Sequence, residues 1–125
     1  FLLSLLYPNL KYSQKGFHQD HMHPFTGFEE SKIASLKLPD GSVIDDVRKD
    51  EWRRRRNTLA NLQLLEGREN ERKNATPLVD WIEVTANSEN AKYMPSDSSF
   101  ELSHFEDFMD KRQKLMSDAL KAILL

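Results

Sequence analysis

Two short segments concentrate the side chains able to do chemistry. Asp20-His21-Met22-His23-Pro24 sets a carboxylate beside an imidazole, and Asn61 through Lys73 carries two asparagines, Asn61 and Asn70, followed by an ammonium at Lys73. Hydrolysis of a phosphodiester needs an activated water, neutralised phosphate charge and help for the departing oxygen. A neutral histidine takes a proton from water near pH 7, because an imidazole ordinarily titrates at about 6.5. A hard divalent cation held by oxygen ligands binds the phosphate and stabilises the leaving oxygen. Magnesium keeps several of its waters, so two protein oxygens suffice. Asp20 and the amide of Asn70 are the candidate metal ligands, and an amide oxygen suits magnesium or manganese better than zinc.

Adjacent residues of a regular strand point to opposite faces. Asp20 and His21 can therefore serve one phosphate only if the strand curls or ends there. The elements that must position them are readable in outline. Residues 17–22 read as a strand stopped by Pro24. Leu62-Gln63-Leu64-Leu65 is an apolar run bounded by Asn61 and Gly67, a second strand, and residues 68–74 have helix-forming composition. Residues 1–7 are expected to be helical and 8–16 a loop. Residues 25–44 are expected to be irregular, with a turn at Pro39-Asp40-Gly41-Ser42. Residues 45–56 are expected to form a helix around Val47 and Trp52. Thr76 with Pro77 predicts an N-cap followed by a first-turn proline, opening a helix through Trp81 and Ile82. Residues 85–99, rich in Ser and Asn, are expected to be a loop.

The final segment is the clearest helix. Ser103 and Glu106 are spaced as a capping box. Phe105, Phe108, Met109, Leu115, Met116, Ala119, Leu120, Ile123 and Leu124 recur at steps of three and four, giving one apolar stripe. Arg112 interrupts it and is expected to snorkel or pair with an acid.

The spaced motif as a whole, Asp20-His21-x-x-Pro24, Asn61 and Asn70, resembles the signature of HNH nucleases with the ββα-metal fold. More narrowly, Leu5-Leu6-Tyr7-Pro8, the run 61–65 and the Phe-x-x-Phe-x-x-x-Arg-x-x-Leu pattern of 105–115 are similar to the C-terminal nuclease domain of GmrSD-type restriction enzymes. The resemblance implies an α+β fold: a ββα-metal (HNH) core with a short antiparallel hairpin, surrounded by helices and ending in a long amphipathic helix. It implies that His21 is the general base, Asp20 and Asn70 bind the metal, and Asn61 positions the loop that bears the histidine. It also implies a phosphate contact at Lys73 and metal-dependent hydrolysis of DNA in a restriction system that acts against phage. The partner implied is an N-terminal ParB-like nucleotide-binding domain of the same full-length protein. The third motif position is Asn70 where many members have histidine, and the spacer from His21 to Asn61 is long. Residues 25–57 therefore read as an insertion.

Other readings stay open beside this one. Asn70 also fits a helix cap. His23 is a candidate accessory residue, and it equally fits a packed structural histidine. A catalytically inactive module that binds DNA or docks a partner, and an RNA-cutting nuclease with the same core, are the alternatives to a DNA endonuclease.

Composition sets the outer limits. A chain of 125 residues fits one domain (1–125), with a core at about 17–83 and a terminal helix at about 103–124. With no cysteine, disulfides and thiolate zinc sites are excluded, and a cytoplasmic setting is the expectation. The run Phe1–Tyr7 is too short to span a membrane and is expected to be the end of a helix cut from a larger protein. Net charge is −2, but it is polarised. Residues 53–73 hold seven basic and three acidic side chains, whereas 95–110 hold five acids and no lysine or arginine. Arg68 and Arg72 join Lys73 as candidate phosphate contacts on that basic strip. Of Arg53–Arg56, one or two are expected to reach DNA, because four consecutive residues spread around a helix. The rest are expected to pair with neighbouring acids. Trp52 is expected to anchor the core.

Overall fold

The structure, a computed structural model, describes residues 2–8 and 16–125, with side chains throughout except at 89 and 90. Most of the expected loop 8–16 lies outside the described residues. The fold is α+β. It comprises α1 (Leu2–Leu6), β1 (Phe17–His21), α2 (Glu30–Ile33), α3 (Asp46–Arg55), β2 (Leu62–Glu66), α4 (Gly67–Lys73), α5 (Leu78–Ile82), α6 (Thr85–Asn90) and α7 (Phe105–Leu124). Single 3₁₀ turns occupy Phe25–Phe28, Leu59–Asn61 and Leu102–His104.

β1 and β2 form an antiparallel pair in which Asp20 faces Gln63 and His21 faces Leu62. Period-two geometry sends alternate β2 residues to opposite sides. Leu65 enters the main core, with Met22, Phe28, Trp52, Leu78, Phe105 and Phe108 among its members. Leu62 and Leu64 pack instead on a second cluster built from Leu3, Leu6, Tyr7 and Met116. Burial on both faces explains why β2 reads as an apolar run rather than a clean alternation. α4 follows β2 directly and packs on both strands. A Cβ at Gly67 would meet the His18 ring at 3.5 Å, ordinary van der Waals contact, so the close start of α4 does not itself demand glycine.

Residues 25–57 are more than an insertion. They supply Phe28, Ile33, Leu38, Ile44 and Trp52 to the main core. Phe28 contacts the rings of Trp52 and Phe105 at centroid distances of 6.4 and 4.9 Å. Within this stretch the turn at 39–42 is closed by Asp40, whose Oδ1 accepts from the Ser42 amide and hydroxyl, and Gly41 takes φ +85° there. α3 is capped by Asp45, which accepts from the Arg48 amide at 2.8 Å. Its three last-turn arginines sit where the helix carbonyls favour positive charge.

Several expectations are corrected. Residues 30–33 are helical within the supposedly irregular stretch, and Thr85–Asn90 form α6 where a loop was expected. Pro77, not Thr76, is the N-cap of α5. Ser103 and Glu106 form no capping box: Ser103 lies in the preceding 3₁₀ turn, and His104 is the N-cap of α7 without a side-chain bond. Glu106 pairs with Arg48 instead. The buried stripe of α7 ends at Met116, leaving Leu115, Ile123 and Leu124 exposed. Arg112 does not snorkel and meets no acid among the described residues. It is fully buried and donates to the carbonyls of Ala60, Leu62 and Lys92 and to the Tyr7 hydroxyl. Among the described residues, no helix is long and apolar enough to cross a membrane.

Candidate active site

β1 ends at His21, and that end is what lets its last two residues serve one place. Asp20 and His21 both line a cleft of about 180 Å³, with Pro24, Phe25, Thr26, Asn74 and Ala75 as its other walls. Asp20 is buried, and its Oδ2 accepts from Gln63 Nε2 at 2.9 Å and lies 3.1 Å from the Lys73 ammonium. Both partners sit on Oδ2, and Oδ1 takes no partner among the described residues. Gln63 reaches Asp20 because the register sets them opposite each other on one face.

His21 is only partly buried. Its Nε2 lies 3.0 Å from Asn57 Oδ1, and its ring meets Phe25 edge-on at 5.6 Å. An oxygen partner requires the Nε2–H tautomer, which leaves the lone pair on Nδ1. The pairing thus fixes both the ring and the nitrogen available to take a proton.

Asn61 is fully buried and ties the segment after β1 in place. Its Oδ1 accepts from the His23 amide at 2.8 Å, and its Nδ2 donates to the carbonyls of His23 and Arg56, each at 3.0 Å. Its own carbonyl accepts from the Met22 amide at 2.7 Å. One side chain thereby satisfies two backbone groups of the chain leaving β1 and one at the end of α3, as burial of such groups requires.

Lys73 is placed differently from a phosphate contact. Its side chain is fully buried, and its ammonium donates to the His21 carbonyl at 2.7 Å while pairing with Asp20. Burial pulls its proton affinity down from the ordinary lysine value, and the Asp20 carboxylate pulls it back up. It is an internal strut beneath the two cleft residues.

Asn70 does not line the cleft. Its carbonyl accepts from Asn74 at the end of α4, and Asn74, one turn further on, is the amide that borders the cleft. Asn74 has φ +45° and ψ −128°, and a 2.9 Å bond from the Thr76 amide to the Lys73 carbonyl closes the turn around it. This is the first central position of a II′ turn, where glycine is the unstrained choice. Among the described residues, no group of three or more histidine and carboxylate side chains converges as a metal cage.

His23 is buried with its ring against Phe105 and Phe108 at 5.5 and 4.9 Å. Burial, with the Lys73 charge adding to it, pulls its pKa down to about 3, so the imidazole is neutral at physiological pH. Of the basic strip, Arg53 pairs with Glu30, Arg54 with Glu51 and Arg55 with Asp110. Arg56 stays apart: its guanidinium lies 3.6 Å over the Phe25 ring at the edge of the cleft. Arg68 and Arg72 are exposed on α4 and meet no acid among the described residues.

Reading the sequence alone missed Asn57, Gln63 and Asn74, and it named Arg56 only as one of the four arginines at 53–56. Gln63 had a signal, being a polar residue inside an apolar strand. Asn57 had none, since only the fold brings it beside His21. The chain matches no protein-family model and no curated protein, so the functional reading rests on these residues.

Proposed function

We propose that this domain is an HNH-type endonuclease that hydrolyses DNA phosphodiesters with one divalent metal ion. The observation that carries the reading is the meeting of Asp20 and His21 at the end of β1, on one cleft, over a strand–strand–helix frame. His21, with Nε2–H held by Asn57, takes a proton from water at Nδ1. Asn61 keeps the chain after His21 fixed, and Lys73 and Gln63 hold Asp20 by one oxygen, leaving Oδ1 for a cation.

The donor set fits magnesium or manganese as a water-rich site. One carboxylate oxygen from Asp20 and one amide oxygen, from Asn74 at the cleft or from Asn70, would hold the ion. When bound it supplies charge neutralisation at the phosphate and stabilises the leaving oxygen. Arg56, outside the acid pairs and at the cleft edge, is the cation best placed to meet a neighbouring phosphate. In the restriction systems that the sequence resembles, such a domain is the effector joined to a ParB-like nucleotide-binding domain, and that role is part of the proposal.

The test is nicking of supercoiled plasmid in magnesium. His21→Ala is expected to lower the rate by about 10²–10⁴-fold, the usual worth of a positioned general base, with an unchanged urea midpoint. Equal rates in the two proteins would remove His21 from the mechanism. No nicking by the wild type with magnesium or manganese would favour a binding module.

A further inference from the structure

Behind the cleft lies a second cavity of about 230 Å³, and Pro24 and Ala75 are walls of both. We infer that this cavity receives a nucleobase of the strand whose phosphate occupies the Asp20–His21 cleft. The inference rests on the proposed nuclease reading and adds to it how the strand is gripped.

Three features select a base. The remaining walls are mostly apolar, with Pro77, Leu78, Phe100 and Leu102 among them, and they suit the flat, weakly polar faces of a heterocycle. His23 also lines the cavity, and its Nε2 is buried without a hydrogen-bond partner among the described residues. A buried polar atom without a partner calls for an explanation, and an incoming ligand is one. The imidazole is neutral, so Nε2 is a donor in one tautomer and an acceptor in the other, and the polar edge of a base carries partners for either. It is also rigid, gripped by two phenylalanine rings and, through its backbone, by Asn61.

The third feature is continuity. A base and its own phosphate are separated by one sugar, and here the two cavities are separated by the shared residues Pro24 and Ala75. Lys32 and Glu101, both exposed, complete the lining. A wholly apolar ligand would leave the His23 nitrogen unmet, and a phosphate alone would gain nothing from Phe100 and Leu102. Taking a base out of its stack to fill such a pocket costs least in single-stranded or distorted DNA, so the cavity would favour such sites for cutting.

Saturation-transfer NMR of the whole chain with deoxyadenosine monophosphate tests this, with deoxyribose phosphate as the baseless control. The base protons should saturate most, and the control should show little. Leu102→Trp, which fills the cavity, should weaken binding about tenfold, as should Phe100→Ala, which removes a stacking face. Thermal melting of both variants checks that they fold, and either one folded suffices. Absent base saturation, or affinity unchanged in a folded variant, would overturn the inference. Plasmid nicking is read separately. Nicking without base binding sinks the cavity and leaves the nuclease standing, whereas base binding without nicking supports the cavity and sinks the nuclease.

Discussion

Among the described residues two cations are fully buried, Arg112 and Lys73, and they are used in opposite ways. Arg112 on α7 meets no acid among the described residues and spends its guanidinium on three carbonyls and the Tyr7 hydroxyl. It joins α7 to the start of β2, to Tyr7 just beyond α1 and to the chain after α6. Lys73 at the end of α4 meets a carboxylate and one carbonyl, both belonging to the cleft residues Asp20 and His21. Burial lowers the proton affinity of both, but only Lys73 has a carboxylate opposing that pull. A guanidinium has five donors fixed in a plane and suits several carbonyls at once, whereas an ammonium is a compact charge that can hold one carboxylate oxygen. One cation therefore serves as a staple of the fold and the other as a support of the site.

The sharpest way to break that distinction is to remove the staple. Arg112→Met keeps most of the volume and discards the donors, so the carbonyls of Ala60, Leu62 and Lys92 lose a partner in the interior. A loss of about 3–5 kcal/mol is expected, the scale for stranding several buried polar groups, and urea unfolding measures it. A loss below about 1 kcal/mol would mean the staple is dispensable. Lys73→Met should cost slightly less, about 3 kcal/mol, because it strands the Asp20 charge. Adding Asp20→Asn to that variant should return part of the loss, since the two residues are in direct contact and couple. Full additivity of the two changes would show that the contact carries no energy.

How much of this was legible beforehand divides along the same line. The hairpin, α4 and the long α7 follow from local patterns: a bounded apolar run, a helix-forming stretch after Gly67, steps of three and four. Asp20 and His21 stood out as a carboxylate beside an imidazole, and Asn61 was singled out through the resemblance of the spaced motif to HNH nucleases. What could not be read were the long-range partners. Asn57 reaches His21 only because α3 packs over the Phe25–Phe28 turn, and the acid-free burial of Arg112 depends on carbonyls that every residue has. Lys73 looked like a surface charge for the same reason: its neighbours in sequence are solvated, and only the depth of α4 over the hairpin buries it. Ser103 and Glu106 misled because a 3₁₀ turn precedes α7 and moves its N-cap from Ser103 to His104.

The Lys73 side of the comparison carries a second, pH-dependent signature. His23 is held neutral, with a pKa of about 3 against about 6.5 for an exposed imidazole, through burial first and the Lys73 charge second. The folded state binds fewer protons than the unfolded chain between those values. The stability from this residue is therefore complete above about pH 6.5 and falls as acid is added, until the folded imidazole itself protonates near pH 3. Between pH 6.5 and 4.5 the loss is about 2–3 kcal/mol at the single-proton slope. His23→Leu should flatten the urea midpoint over that range relative to the wild type, whatever its absolute stability. Parallel profiles would show that His23 does not drive the acid response.

Asn74 supplies the smallest effect and a separate test of the claim that the Lys73 end of α4 is organised around the cleft. It follows Lys73 directly, holds φ +45° without being glycine, and lines the cleft. Strain of this kind persists where a side chain is worth more than the backbone ease it displaces. Asn74→Gly should raise stability by about 1 kcal/mol, since glycine adopts this turn freely. Nicking should fall at the same time, and the magnesium concentration for half-maximal rate should rise if the Asn74 amide is the ligand. Gained stability with unchanged nicking would make the turn a scaffold alone and return the amide role to Asn70. No comparable trade is expected at the Arg112 end, where every contact stabilises the fold and none borders the cleft.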